Sequence, residues 1–106
     1  MTTLERTIEI LIENELVYSF EEFSEKWAKK NKTWLAYTRC KGRDYSTDAA
    51  FNVLKETRKR KSNLITAHAR LGAIVEDGIQ ALATVELLLK DFLHKKHKLL
   101  DCIFSD

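Results

Sequence analysis

Apolar residues recur at helical spacing along nearly the whole chain, and nothing alternates apolar with polar for more than a few residues. Leu4, Ile8, Leu11 and Ile12 share one face of a first helix predicted over residues 3 to 15, with Glu5, Glu9 and Glu13 along another. The segment NELVY breaks that pattern. Ser19 and Glu22 then stand in the S-x-x-E spacing of a capping box, which predicts a second helix from Phe20. Phe20, Phe23, Trp27 and Ala28 give it an apolar stripe of two or three turns before KKNK. A third helix is predicted over residues 32 to 41, with Trp34, Leu35 and Tyr37 available to pack and Gly42 as its stop. RDYS reads as a loop. Ser46 or Thr47 caps a fourth helix with Ala49, Ala50, Val53 and Leu54 buried, ending in the run KETRKRKS.

From Leu64 to Ile103 the helical spacing resumes, with Asp77-Gly78 the candidate break between two helices. Its stripe is wider than a coiled-coil seam and predicts a tail that folds onto a neighbour, either its own N-terminal half or a second subunit. Leu71, Ile74, Leu82, Val85, Leu89, Phe92 and Leu93 are the residues from which a homodimer is expected. The expected fold is therefore all-α, with five or six helices. Residues 1–61 form a compact N-terminal unit and residues 62–106 a helical extension for dimerisation or packing.

Composition changes this picture little. The chain has 106 residues, no proline and three glycines, with 44% hydrophobic and 32% charged residues, as expected of one globular domain. Acids among the first apolar residues exclude a signal or transit peptide, and no apolar run is long enough to span a membrane. Cys40 and Cys102 lie far apart without metal-type spacing and read as reduced thiols, so a cytoplasmic protein is expected.

Charge changes it more. The net charge is +2, but residues 1–28 carry seven acids and two bases, while residues 29–61 carry eleven Lys/Arg against three acids. A field of +8 in the middle third points to a polyanionic partner. The dense run Arg58, Lys59, Arg60 and Lys61 is expected to contact phosphate without reading sequence. HKKHK, from His94 to Lys98, reads as a solvated basic face, not a metal site. No phosphate loop, nucleophile elbow or histidine-activated nucleophile is present, so neither an enzyme nor a cofactor is expected.

A capped helix, a short turn and a second helix, in SFEEFSEKWAKKNKTWLAYTRCKGRDYS, make a helix-turn-helix pattern. Ser24 is the small residue where the two helices would touch, with Phe23, Trp27, Trp34 and Tyr37 as core. Lys30, Asn31, Lys32 and Thr33 fall in the turn and at the start of the recognition helix, residue types suited to phosphate, adenine and thymine contacts. Arg39, Lys41 and Arg43 follow on that helix and its loop. From about Thr7 to Leu54 this order resembles the lambda-repressor-like (Xre-type) DNA-binding domain. FSEKWAKKNKTWL is also similar to segments of small bacterial helix-turn-helix-like proteins. It departs from the usual pattern at Lys29, where an apolar turn residue is usual, and at Ala28, where glycine is usual. The resemblance implies a DNA-binding transcriptional regulator that holds double-stranded DNA as a homodimer over two half-sites. The other reading is a helical protein-interaction module, an inhibitor or adaptor, whose basic patch meets an acidic protein.

Overall fold

The computed structural model describes residues 2–96, and these are helical with no strand. The helices are α1 (Thr3–Glu13), the three-residue α2 (Phe20–Glu22), α3 (Trp34–Cys40), α4 (Thr47–Leu71) and α5 (Glu76–Lys96). α2 continues as a π-helical turn over Phe23–Trp27, and a 3-10 turn over Gly72–Val75 joins α4 to α5. Four α-helices exceed one turn among the described residues, not the five or six expected.

Local signals set the starts. Thr2 Oγ1 accepts from Glu5 N at 3.1 Å, and Ser19 Oγ accepts from Glu22 N at 3.0 Å. The Glu22 carboxylate reaches back to Tyr18 N at 2.9 Å, one residue beyond the usual capping-box partner. Ser46 caps α4 at Ala49 N. At α1 a long-range cap is added, because Asp44 accepts from Thr3 N and Leu4 N, both at 2.9 Å. That carboxylate also fastens the loop after α3 to the start of α1.

One core unites the chain. Leu4, Ile8 and Leu11 of α1, Phe23 and Trp27, Leu35 of α3, Ala49, Ala50, Val53 and Leu54 of α4, and Leu82, Val85, Leu89 and Leu93 of α5 are all buried in it. An aromatic file runs through it: Trp27, Phe23, Trp34, Tyr45 and Phe92 follow one another at centroid separations of 5.8 to 6.4 Å. Tyr45 sits in the RDYS loop yet is 2% exposed, and burial pushes its hydroxyl well above the usual phenol range.

Four expectations change here. α4 does not end in KETRKRKS but runs without interruption across residues 61 and 62 to Leu71, so the unit of residues 1–61 and the extension share one helix. Nothing in KETRKRKS breaks a helix, whereas Gly72, with φ +61°, does. Gly78 lies inside α5, where its missing Cβ lets Leu64 approach. α3 begins at Trp34, not at 32, because Asn31 Oδ1 accepts from Thr33 N and Thr33 Oγ1 and fixes those residues in a turn. Tyr37 is 57% exposed, so it does not pack.

The stripe expected to seek a partner is largely met by the same chain. Leu82, Val85, Leu89 and Leu93 are fully buried against α1 and α4, whereas Leu71 and Ile74 remain exposed. His97, Lys98 and Cys102 lie outside the described residues.

Candidate nucleic-acid interface

Ser24 seats α3 on the helix before it. Its hydroxyl donates to Phe20 O at 2.9 Å and accepts from Leu35 N at 3.0 Å, so one buried side chain ties both helices. By taking the Phe20 carbonyl, Ser24 also competes with the local ladder, and the five residues Phe23–Trp27 around it wind as a π turn. Ala28 N bonds to Phe23 O and Lys30 N to Ser24 O, closing the wide turn. Lys29 then takes φ +58°, the left-handed position that a glycine usually fills. Asn52 of α4 holds the same end through Ala28 O at 2.9 Å.

The turn and α3 are strongly cationic. Residues 29–43 contain six Lys/Arg and no acid. Leu35 and Thr38 point into the core, and the opposite stripe of Thr33, Ala36, Tyr37, Cys40 and Lys41 is exposed along the whole helix. Lys41 Nζ lies 5.6 Å from the centroid of the Tyr37 ring. Lys32, exposed at the start of this stripe, makes no ion pair among the described residues.

The other expected contacts are dispersed. Lys30 pairs with Asp48, whose carboxyl is held below its ordinary range by Lys30 and the Ser46 hydroxyl. Asn31 spends its side-chain oxygen on Thr33, which leaves no bidentate grip on adenine in this conformation. Arg39 lies 4.8 Å from the centroid of Phe20, on the flank facing α1. Arg43 lines a separate recess with Asp44, Asp91 and Lys95. The structure therefore brings Lys32, Thr33 and Lys41 together on one stripe, and sets Lys30, Arg39 and Arg43 to its sides.

The run from Arg58 to Lys61 is mostly engaged within the molecule. Arg58 and Lys61 both bind the Glu86 carboxylate of α5, the former at 2.9 Å, and Lys90 reaches it at 3.7 Å. Arg60 binds Glu56 at 2.7 Å and lies 4.5 Å from the Trp27 ring centroid. Lys59 is exposed without an ion pair among the described residues. Burial alone would raise the Glu86 carboxyl. Hydrogen bonds from Lys61 and Arg58, with the charges of Lys61 and Lys90, outweigh this and hold it below the usual range.

Two features of this surface escaped sequence reasoning, the exposed Tyr37 and the neutralising Glu86. The spacing of Leu35 and Thr38 could have shown the first, whereas Glu86 lies 28 residues from Arg58 and leaves no local sign. Among the described residues no group of three or more His, Cys, Asp or Glu is placed to hold a metal ion. Nor is any described helix long and apolar enough to cross a membrane.

Fold and surface together define a small all-α protein that presents a short cationic helix, braced from beneath, to solvent. Over residues 4–97 the chain matches a family described as a family of unknown function, DUF6626, and it belongs to that family. No curated protein and no solved structure matches the chain.

Proposed function

We propose that this protein is a small DNA-binding regulator of helix-turn-helix type, acting as a pair of copies, in which α3 is the recognition helix. The observation that carries the reading is the uninterrupted exposed stripe of α3. It holds only small side chains, one tyrosine and one lysine, and no acid stands within the turn or the helix. Such a helix can approach base edges closely, while Lys32 and Lys41 meet phosphates on either side. Tyr37 supplies a hydroxyl for phosphate or a ring for a thymine methyl. Arg58, Arg60 and Lys61 have little part in the resting contact, because Glu56 and Glu86 already hold them. Lys59 is the member of that run left to meet phosphate.

Fluorescence anisotropy with a labelled random duplex, at two salt concentrations and with unlabelled duplex as competitor, tests the reading. Binding that weakens steeply with salt and is lost in Lys32→Gln with Lys41→Gln is expected. Absence of any salt-dependent binding would remove it.

One observation favours the protein-interaction reading. A groove of about 350 Å³ along α1 is floored by Ile8, Ile12 and Phe20, with Glu5, Glu9 and Glu13 on its rim and Arg39 as the one cation among them. Its chemistry suits a basic, partly apolar segment of another protein, and that would be the function if duplex DNA does not bind.

A further inference from the structure

α4 is 25 residues long, about 37 Å at the helical rise, yet its last buried residue is Thr57. On the return strand of the hairpin the first buried residue is Ala81. From residue 58 to residue 80 no residue is fully buried, so the outer parts of α4 and α5 form an arm at the edge of the core, which Leu64 joins beside Leu16. Within it Leu64 packs on the Gly78 backbone, but Ile65 is 54% exposed, Leu71 49% and Ile74 82%. Two helices alone cannot cover their facing stripes; a layer of that kind is closed by further helices.

We infer that this arm is the surface on which two copies of the chain pair, hairpin against hairpin, as a four-helix layer. The occupant follows from charge. Residues 62–75 hold a single Asp, Glu, Lys or Arg, namely Arg70, in a protein that is 32% charged. Between the charges at its two ends this face offers a charged partner little to pair with, whereas a second apolar arm can cover it. Arg70, Glu76 and Asp77 flank the tip, and none of the three forms an ion pair among the described residues. In a two-fold arrangement contacts are reciprocal, so the pairing of Arg70 with Glu76 and Asp77 of the other copy would form twice. This deepens the two-copy part of the proposed function, and it moves the pairing surface from the buried stripe of α5 to Ile65, Leu71 and Ile74.

The test is the solution mass of the full chain without DNA, by light scattering and sedimentation equilibrium at micromolar concentration. The chain is expected to be a dimer. Ile65→Asp with Ile74→Asp, both at exposed positions, raises its dissociation constant by roughly thirtyfold or more while helix content stays unchanged and melting loses its dependence on protein concentration. Arg70→Glu weakens the dimer, and adding Glu76→Arg with Asp77→Arg restores it. A monomeric chain, or a dimer indifferent to all of these variants, overturns the inference. If that chain still binds duplex DNA, the DNA reading stands without the arm. If the arm variants dissolve the dimer and no DNA binds, the arm stands and the DNA reading falls.

Discussion

Glu86→Gln should make the protein less stable and yet bind polyanions with a steeper salt dependence. The Glu86 side chain is 11% exposed and takes Arg58, Lys61 and Lys90, whose own exposures are 42%, 28% and 36%. Breaking a fully buried pair costs ~3–5 kcal/mol. Here the cations are partly solvated and glutamine keeps one acceptor oxygen, so we expect ~1–2 kcal/mol. For a domain of this size that lowers Tm by roughly 5–10 °C. The substitution also loosens Arg58 and Lys61 of α4, and each new phosphate contact adds ~0.9 to the slope of log K against log salt, up to ~1.8 for both. Conversely, Arg58→Gln with Glu86 in place should hardly change the slope. The assays are urea denaturation and anisotropy over a salt series. A destabilised variant with an unchanged slope would show that the freed cations do not face the duplex. A variant of undiminished stability would show that the Glu86 cluster does not hold the hairpin. The folded carboxyl titrates below its ordinary value, so its contribution is complete above the unfolded pKa of ~4.3 and is lost as pH falls through the lower folded value. The stability gap between the native chain and Glu86→Gln should therefore close in acid.

Gly72→Ala should cost ~1–3 kcal/mol, since φ +61° with ψ −136° suits few residues other than glycine, whereas Gly78→Ala, whose Cβ would meet the movable ends of Leu64 at 3.1 Å and Leu16 at 3.8 Å, should stay near neutral; chemical denaturation compares them. Ser24→Ala strands the Leu35 amide and should cost ~1–3 kcal/mol, with faster hydrogen exchange at Leu35 as the specific sign and unchanged exchange as the refutation. Trp27→Ala, emptying a fully buried site, should lose ~3–5 kcal/mol, and the half-buried Trp34 less; equal losses would contradict the packing described.

Where the controlling interaction is local, the sequence announces it. The Ser19 and Ser46 caps, the stop at Gly42 and the four-residue face of α4 each need only neighbours within a turn or two. Ser24 is recognisable as the contact point because the two helices of a helix-turn-helix pattern meet through a small residue. What stayed hidden depends on residues far apart. Asp44 caps α1 from 40 residues away, and Glu56 and Glu86 neutralise cations that read in sequence as a free basic run. Tyr45 is flanked by Asp44 and Ser46, the pattern of a solvated loop, and only its stacking on Trp34 and its edge contact with Phe92 reveal it as core. Gly72 and Gly78 differ not in local sequence signal but in backbone conformation, so choosing the break from sequence alone favoured Asp77-Gly78. The π turn likewise follows from a side-chain hydrogen bond, not from propensity.

Contact between the exposed stripe of α3 and duplex DNA is read residue by residue in an amide NMR titration of the full chain with a short random duplex at low salt. Shifts and broadening are expected at Lys32, Thr33, Ala36, Tyr37, Cys40 and Lys41, reversed by added salt, with α1 silent. Shifts centred on Glu5, Glu9 and Glu13, or no shifts at any duplex concentration, would contradict it.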